Sequence, residues 1–336
     1  MLDYTLPRAF IAQVPLEKRD EAKLLFLSRS TGQIKHLIFK DIINLLDERH
    51  LLVLNNTRVF PARLRGRNAR GGKVEVLLIR EREPRVWEVL GRPAKKLRRG
   101  ETINFDSGNF LAAVLEDKLL RFNSFLPVMK MLDRYGQTPL PPYIKRPHPA
   151  TDEEADRSRY QTVYAKNPGS CACPTAGLHF TPELLAALKN KGVGMVEITL
   201  HIGPGTFRPI KVPRLKDHCM EEELFAISGE AALSINSAIK GGKIIVGVGT
   251  STVRALEEAG ASGKVSPGDG KAGLFIHPGY RFKIVNGLIT NFHQPGTTPL
   301  ALVSAFAGES IISKAYSEAL NRSYRFLSFG DSMFIV

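Results

Sequence analysis

Apolar and polar residues in the first 60 positions form short runs that predict strands joined by turns. Residues 22–28 and 36–39 are apolar runs of strand length on either side of a hairpin-like turn. Asp41 is placed to cap a helix that extends through Leu46. Residues 51–54 are apolar throughout, as in a buried strand, and the polar residues 55–58 end it. Because ligands of open α/β sheets bind at the carboxyl ends of strands, this polar end favours a binding site.

Between residues 62 and 146 the pattern changes to short runs in which apolar and polar residues alternate. Turns rich in Gly, Pro and Asn separate these runs, and a proline-rich segment at 139–144 suits neither a helix nor a central strand. The pattern is typical of a small β-barrel or sandwich. The alternating runs are 74–80, 86–91, 102–105, 111–115 and 119–125.

From residue 147 onwards, predicted strands alternate with predicted helices, which indicates a layered sheet. We therefore expect an α/β fold: a layered α/β/α main domain with a sheet at its core, carrying an inserted small β-barrel. The main domain comprises residues 1–61 and 147–336, and the barrel comprises residues 62–146. The predicted strands of the second half are 195–202, 243–248 and 281–285, and its helices are 230–240, 251–259, 299–307 and 311–321.

The charge balance predicts a polyanionic partner. The chain has 47 basic and 33 acidic residues, a formal net charge of +14 at pH 7, and an excess of this size usually accompanies nucleic acid. Charge alone does not separate DNA, RNA and lipid headgroups. Basic residues are dense in the predicted barrel, which favours a phosphate-binding face over a merely solvated rim. The ones concerned are Arg63, Arg65, Arg67, Arg70, Lys73, Lys95, Lys96, Arg98 and Arg99.

Several protein classes do not fit the sequence. It lacks a P-loop, a Gly-x-Ser-x-Gly nucleophile elbow and a His-Glu-x-x-His zinc motif. The first residues hold no apolar signal-peptide core, and no stretch approaches the ~20 apolar residues of a membrane span, so we expect a cytoplasmic protein. Cys171 and Cys173 are separated by one residue rather than two, which disfavours zinc; with Cys219 they are expected to be free thiols acting as small core residues.

A loop of small residues at 174–182 carries a single histidine, His179, and enters a predicted helix. Thr181 is a favourable N-cap and Pro182 a favourable first helical residue, so His179 is expected at a helix N-terminus, where anions bind. Taken alone, a histidine in a tight turn is more often a core residue. Similar loops later in the chain favour a functional site.

Three later turns repeat this combination of glycine with polar side chains. The turn at 200–209 contains His201, Gly205, Thr206 and Arg208. The turn at 246–254 resembles half of a dinucleotide fingerprint, but Thr252 stands where a third glycine is needed. The turn at 290–299 contains Asn291 and His293, with Thr298 as the expected N-cap of the next helix.

An acidic run beside a histidine, residues 217–223, has two interpretations that the sequence leaves open. A glutamate near His218 is placed to act as a general base, and a charge run is equally typical of a solvated face.

Taken together, these motifs resemble the S-adenosylmethionine:tRNA ribosyltransferase-isomerases, the QueA family of queuosine biosynthesis. The resemblance covers nearly the whole chain. It is carried by the four turns above, the 55–59 segment Asn-Asn-Thr-Arg-Val, and further motifs at 3–7, 11–20, 139–144, 160–165 and 324–331.

This resemblance implies an α/β domain with an inserted barrel and an enzyme of the pentosyl transferase class. The enzyme moves the ribosyl part of S-adenosylmethionine onto 7-aminomethyl-7-deazaguanine at the wobble position of tRNA. Epoxyqueuosine-tRNA, adenine and methionine are the products. S-adenosylmethionine is a co-substrate, and no metal, separate cofactor, membrane or stable protein partner is expected.

The residue types suit this chemistry, which needs a base near the sulfonium and an acid for the departing adenine. Histidines with poised pKa values suit both roles, and the sequence leaves open which residue takes which. The expected catalytic residues are His179, His201 and His293. The expected substrate-binding residues are Thr175, Gly177, Gly205, Thr206, Arg208, Thr250, Arg254 and Asn291, of which Arg208 and Arg254 are expected to bind the methionine carboxylate or a phosphate. The expected tRNA-binding residues are Arg63, Arg65, Lys95, Lys96, Arg98 and Arg99.

Two rival functions remain at this point. An RNA-binding module without catalysis accounts for the charge and the barrel, but not for the four turns. An S-adenosylmethionine-dependent RNA methyltransferase accounts for the turn at Gly247 and Gly249.

Overall fold

The structure is a computed structural model that describes residues 4–105, 110–116, 118–146 and 149–336. Seventeen strands and seven α-helices are named here in chain order. The strands are β1 (Lys23–Leu27), β2 (Ile34–Ile38), β3 (His50–Asn55), β4 (Thr57–Val59), β5 (Arg63–Asn68), β6 (Lys73–Glu83), β7 (Val86–Arg92), β8 (Thr102–Phe105), β9 (Phe110–Glu116), β10 (Leu119–Asn123), β11 (Asn167–Ser170), β12 (Gly194–Leu200), β13 (Glu223–Ile227), β14 (Ile244–Val248), β15 (Gly268–Ala272), β16 (Gly287–Asn291) and β17 (Ser332–Ile335). The helices are α1 (Val128–Tyr135), α2 (Pro149–Arg159), α3 (Pro182–Asn190), α4 (Gly229–Lys240), α5 (Thr250–Ala259), α6 (Thr298–Ala307) and α7 (Glu309–Asn321).

A nine-stranded mixed sheet forms the centre of the molecule, in the order β15-β13-β12-β3-β14-β16-β17-β1-β2. Its four middle strands, β12, β3, β14 and β16, are parallel to one another. The carboxyl ends of these four strands therefore lie along one edge of the sheet, and the loops that follow them are brought together there.

Both faces of the central strands β3, β14 and β16 are buried, which explains why these strands are largely apolar. In β3, Leu51 and Val53 pack on one side against a core that includes residues of α4 to α7. Leu52 and Leu54 point to the other side, into a core that includes residues of α3. Alternate residues of one strand thus serve two cores, as in doubly covered parallel sheets. The predicted layered α/β/α arrangement is confirmed.

The alternating region forms a closed barrel of strands in the order β10-β7-β6-β5-β8-β9. Its interior is apolar and includes Val76, Val89, Ile103 and Phe122, and Leu132 of α1 packs against the same core. The predicted inserted barrel is therefore confirmed, in preference to a sandwich. The exact domain boundaries remain a prediction, and the one at residue 147 lies outside the described residues.

Some predicted elements differ from the structure. Residues 281–285 are not a strand; the strand of this region is β16, which begins at Gly287. The expected helix at 41–46 is a 3-10 helix, Phe39–Asn44, in which Asp41 accepts a hydrogen bond from the Ile38 N–H instead of standing at the cap. The N-cap of α6 is Thr297 rather than Thr298.

Cys171 and Cys173 are buried free thiols, as expected of small core residues, whereas Cys219 is a free thiol as expected but is exposed, so the predicted core position was wrong for it. Among the described helices, none combines the length and the apolar character needed to cross a membrane.

Candidate active site

A cleft opens at the carboxyl-end edge of the parallel strands. It holds about 870 Å³ of empty space, counted with its solvent-open mouth. The loops after β12, β14 and β16 form three of its walls, and the 3-10 turn Thr175–His179 contributes a fourth. Its polar lining includes Thr175, Thr206, Thr250, Ser251, Arg254, Thr290, Asn291, His293, Thr297 and Ser328, and its apolar lining includes Ile202, Phe292, Leu302 and Leu327.

Two helices begin at this cleft without a side-chain cap. Gly249, with a φ of +96°, turns the chain sharply from β14 into α5, a conformation that favours glycine. Thr250 and Ser251 at the start of α5, and Thr298 at the start of α6, line the cleft. Because neither helix has a side-chain cap hydrogen bond, both N-termini are suited to an anionic or strongly polar ligand group.

His293 follows β16 and lines the same cleft. Its Nε2 lies 2.8 Å from Thr290 Oγ1, its backbone N–H donates to the Tyr316 hydroxyl at 2.9 Å, and its carbonyl accepts a hydrogen bond from the Tyr4 hydroxyl. Burial lowers the pKa of His293 to about 3, so the ring is neutral at physiological pH. The backbone of His293 is thus fixed by two tyrosines and its neutral ring by Thr290, which leaves a positioned group for proton transfer.

Asn291, the last residue of β16, is almost fully buried between this cleft and His179. Its Nδ2 donates to the Leu327 carbonyl at 3.0 Å and lies 3.4 Å from His179 Nε2. Its Oδ1 is buried and has no hydrogen-bond partner. An unpaired buried acceptor is costly, so this oxygen is suited to receive a hydrogen bond from a bound ligand.

A buried ion pair organises the wall after β12. Glu223 Oε2 lies 2.6 Å from Arg254 Nη1, and both side chains are less than a tenth exposed. Glu223 Oε1 accepts hydrogen bonds from the Gly203 N–H at 2.9 Å and the Thr206 hydroxyl at 3.0 Å. Arg254 also donates to the Ala272 carbonyl at 2.7 Å. The pair thus fixes the 203–207 turn and holds part of the guanidinium against the cleft.

His179 lies on the far side of Asn291 and not in the lining of the cleft. It is buried beside the Phe39 ring, and burial lowers its pKa to about 4. It lines a smaller, neighbouring pocket, which it shares with Arg19, Arg159 and Arg325. The helix expected to bind an anion here, α3, is closed by its own cap, because Thr181 Oγ1 accepts from the Leu184 N–H at 3.1 Å.

The predicted catalytic residue His201 and three predicted substrate-binding residues also lie outside the cleft lining. His201 is half-buried, and its Nδ1 lies 2.8 Å from Thr57 Oγ1; burial lowers its pKa. Gly177 packs so closely that a Cβ there would lie 2.0 Å from the Tyr164 hydroxyl oxygen. Gly205 faces the Glu221 carboxylate, which pairs with the exposed Arg208.

The acidic run 217–223 contains both a solvated face and a functional residue. Asp217 pairs with Arg214 and Glu222 with Lys271, both at the surface, while His218 packs against the Phe275 ring. Glu223 alone turns into the site, where it positions other groups. Over the part of the chain that the structure describes, no group of three or more His, Cys, Asp or Glu residues is arranged to hold a metal.

The predicted tRNA-binding residues lie on the barrel. Arg65 pairs with Glu75 and lines a groove that also contains Arg67, Lys73 and Arg92. Lys95, Lys96 and Arg98 line a depression next to this groove, and Arg99 is exposed. Half-buried Arg63 donates to the Leu140 carbonyl at 2.8 Å and lines a second groove. That groove runs between the barrel and the 204–209 loop, so its lining joins barrel residues to Pro204, Arg208 and Pro209.

Sequence reasoning did not select Glu223, Ser251 or Thr290 as individual site residues. Glu223 follows several other acidic residues, so the sequence does not single it out. Its position as the first residue of β13, the strand next to β12, is what brings it to the site. Ser251 and Thr290 lie within turns that were selected, so the loop pattern found their region but not the side chains.

The fold and the cleft define a class of protein: an α/β protein with a ligand cleft at the carboxyl ends of its parallel strands and a basic barrel inserted beside it. The chain also matches a known family over almost its whole length. The profile of a family described as "Queuosine biosynthesis protein" matches residues 1–335, and the chain belongs to that family.

Two relatives that are similar over nearly their whole length carry the same name. The chain is 47% identical over 338 residues to the S-adenosylmethionine:tRNA ribosyltransferase-isomerase of Carboxydothermus hydrogenoformans, covering 99% of this chain and 98% of the relative. It is 47% identical over 340 residues to the protein of the same name from Caldanaerobacter subterraneus subsp. tengcongensis, with the same coverage. The crystal structure of S-adenosylmethionine tRNA ribosyltransferase from Thermotoga maritima matches with a TM-score of 0.58 and 35% identity over 99% of both chains.

Proposed function

We propose that this protein is an S-adenosylmethionine:tRNA ribosyltransferase-isomerase of queuosine biosynthesis. It transfers and isomerises the ribosyl moiety of S-adenosylmethionine onto the aminomethyl group of 7-aminomethyl-7-deazaguanine in tRNA. Adenine and methionine leave, and epoxyqueuosine-tRNA is the product. The observation that carries the proposal is the cleft: in a chain that matches this family over residues 1–335, uncapped helix N-termini and a neutral histidine meet in one polar-lined site.

The cleft supplies groups suited to each part of S-adenosylmethionine. The uncapped N-termini of α5 and α6 favour the methionine carboxylate, since unpaired N–H groups and the helix dipole stabilise negative charge. The apolar surface formed by Leu302 and Ile202 suits the flat adenine ring. Thr175, Thr250 and the Asn291 carbonyl group supply hydrogen bonds to the ribose and base edges.

His293 is the residue best placed for proton transfer at the reacting atoms. The reaction needs a base for an acidified hydrogen at the ribose carbon next to the sulfonium, and an acid for the adenine that leaves. The His293 ring is neutral in the folded protein, so it can accept a proton, but burial makes it a weaker base than a free imidazole. Its low pKa makes the protonated ring a strong acid in a later step. His179 acts through Asn291 in this proposal, as a positioning residue rather than a catalytic one.

The barrel rim and the groove beside it are proposed to hold tRNA. Arg63, Arg65, Lys95, Lys96, Arg98 and Arg99 line or flank this surface. Arg208, of the two roles expected for it, is better placed for a phosphate, because it lies along the groove and not in the cleft. Arg254 lines the cleft but is already paired with Glu223, so it contributes mainly to the shape and polarity of the wall. S-adenosylmethionine is the co-substrate, and no separate cofactor is proposed.

Product analysis tests the proposal. The protein is incubated with S-adenosylmethionine and tRNA that carries the 7-aminomethyl-7-deazaguanine base, and the small molecules are separated. Release of adenine and methionine in equal amounts is expected. Release of S-adenosylhomocysteine would instead identify a methyltransferase, for which the Gly247-x-Gly249 turn is the supporting feature. Binding of tRNA without turnover would identify an RNA-binding module.

A further inference from the structure

The small pocket that His179 lines is a second site with a distinct chemical character. It holds about 300 Å³ of empty space, again counted with its mouth, and three arginines converge on it. The cleft and this pocket share Ser328 in their linings, and Asn291 and His179 stand between them. The pocket is therefore a neighbour of the proposed reaction site and not part of it.

Each of the three guanidinium groups is held in place by backbone carbonyls. Arg19 donates to the carbonyls of Gln161 and Ser158, at 2.5 and 3.4 Å. Arg159 donates to the carbonyls of Leu16 and Glu17, the second at 3.1 Å. Arg325 donates to the carbonyls of Phe329 at 2.8 Å and Val14 at 3.3 Å. Carbonyl oxygens fix the orientation of a guanidinium but do not neutralise its charge.

Neutralising carboxylates are scarce around these arginines. Within the described residues, no carboxylate oxygen lies within 4 Å of the Arg19 or Arg159 guanidinium, and Asp331 Oδ1 reaches Arg325 Nε only at 4.0 Å. The Asp331 carboxylate is occupied by the backbone N–H groups of Lys23 and Arg325. Three oriented positive groups with little counter-charge are a strong site for an oxyanion.

We propose that this pocket binds a backbone phosphate of the tRNA, next to the nucleotide whose base enters the cleft. The inference rests on the proposed function, because it assumes that the modified base reaches the cleft. When a nucleotide is flipped out, its phosphate lies outside the base pocket but close to it. The arginine-lined pocket lies next to the cleft in the same way. Arginine is well suited to recognise phosphate, and the carbonyl contacts hold these three guanidinium groups at the pocket. The methionine carboxylate of S-adenosylmethionine is the competing occupant that the test must separate.

Substitution of Arg159 provides the test, since this arginine is half-buried and its side chain enters the pocket from α2. Steady-state adenine release is measured with Arg159→Gln while each substrate is varied in turn, and tRNA affinity is measured at several salt concentrations. We expect the KM for tRNA to rise roughly tenfold and the KM for S-adenosylmethionine to stay the same. The slope of log affinity against log salt should fall by about 1, as expected when one phosphate is no longer neutralised by the protein.

Arg157→Gln is the matched control. It removes the same charge from the same helix, but Arg157 is exposed and donates to the Asp133 carbonyl, away from the pocket. Both KM values should stay near those of the parent protein. Arg159→Lys keeps the charge but not the paired donors, so its KM for tRNA should lie between those of the parent and Arg159→Gln.

Three results would overturn the proposal. A rise only in the KM for S-adenosylmethionine would assign the pocket to the methionine carboxylate. If Arg159→Gln and Arg159→Lys each raise the KM for tRNA and the KM for S-adenosylmethionine by the same factor, Arg159 has a structural role. Unchanged KM values and salt slope would show that the pocket binds neither substrate. In each of these three results the parent protein still releases adenine. If the proposed function itself is wrong, the parent protein releases no adenine.

Discussion

The cleft and the barrel rim bind their proposed ligands by opposite physical means. The polar groups of the cleft are mostly buried and fixed by specific partners, such as Glu223 with Arg254 and His293 with Thr290. The cations of the rim are largely exposed; Lys95 and Arg99 point to solvent, and Arg65 keeps only a surface pair with Glu75. The cleft therefore depends on a few groups with fixed partners, whereas the rim depends on many exposed cations, none of which is essential by itself.

This difference determines how each region tolerates change. Buried charges and hydrogen bonds operate in a low effective dielectric, so loss of one partner leaves another group unpaired at high cost. Exposed cations act through a summed field that salt screens, and each contributes little. Substitutions in the cleft should therefore have large individual effects, and substitutions on the rim should have small effects that accumulate.

The largest effect is expected for Glu223→Gln. This change removes the charge that Arg254 needs and weakens the hydrogen bonds to Gly203 and Thr206. Breaking a buried ion pair from one side typically costs about 3–5 kcal/mol, so the free energy of unfolding should fall by about that amount and adenine release should be lost. Urea unfolding and product assays measure the two quantities.

Glu222→Gln is the neighbouring control for that experiment. Glu222 pairs with Lys271 at the surface, where both side chains are more than half exposed. Its substitution should change the free energy of unfolding by about 0–1 kcal/mol and leave turnover intact. Equal destabilisation by the two substitutions would contradict the contrast between the regions.

His293→Ala should reduce adenine release roughly 100- to 10,000-fold, the usual contribution of a general acid or base. Because the ring interacts only with one wall of the cleft, S-adenosylmethionine binding measured by calorimetry should weaken far less than turnover. His218→Ala is the matched control, since that imidazole packs on Phe275 outside the cleft lining. Near-normal turnover of His293→Ala would remove this residue from the chemistry.

The buried His179 predicts a specific pH dependence of stability. Its pKa is about 4 in the folded protein, compared with about 6.5 in an unfolded chain. As the pH falls from 6.5 to 4, the unfolded chain binds a proton that the folded protein does not, so the free energy of unfolding decreases. At pH 5 this decrease amounts to roughly 2 kcal/mol.

Replacement of His179 isolates that contribution. Urea unfolding of the parent protein and of His179→Gln at pH 7 and pH 5 gives the drop in stability for each. The drop should be about 2 kcal/mol smaller in the variant. The same drop in both proteins would mean that His179 is not buried in its neutral form.

The smallest individual effects are expected on the barrel rim. Lys95→Gln, Arg98→Gln and Arg99→Gln should each weaken tRNA affinity only modestly and lower the salt slope by about 1 for each phosphate that the variant no longer neutralises. The triple variant should combine the three effects, with the kcat for adenine release unchanged at saturating tRNA. Lys264→Gln, an exposed lysine beyond the C-terminal end of α5, is the control that should leave both quantities unchanged. A fall in kcat in the triple variant would contradict the separation of rim and cleft.

The fold was predictable because its signals are local. The apolar run at Leu51–Leu54 identified a buried strand, and the alternation between residues 74 and 125 indicated a small barrel or sandwich. Turns with glycine after apolar strands identified the loops at Gly249 and His293, which meet in the cleft. Strand β5 was missed because its exposed positions, including Arg65 and Arg67, gave the appearance of a basic cluster rather than of an alternating strand.

The details of the site depend on contacts between distant segments, which a local pattern does not contain. Pairing of β13 with β12 turns Glu223 towards the 203–207 turn, and sequence spacing gives no sign of that orientation. His201 has the same local surroundings of glycine and proline as other site residues, but Thr57, 144 positions away, occupies its Nδ1. His179 likewise packs on Phe39 and belongs to the arginine-lined pocket instead of the cleft.

A crystal structure of the protein with S-adenosylmethionine bound tests the central claim most directly. We predict electron density for the ligand in the cleft, with its carboxylate at the N-terminus of α5 or α6 and its ribose within reach of His293. Density in the barrel groove or in the pocket of Arg19, Arg159 and Arg325, with the cleft empty, would contradict the assignment of the cleft as the reaction site.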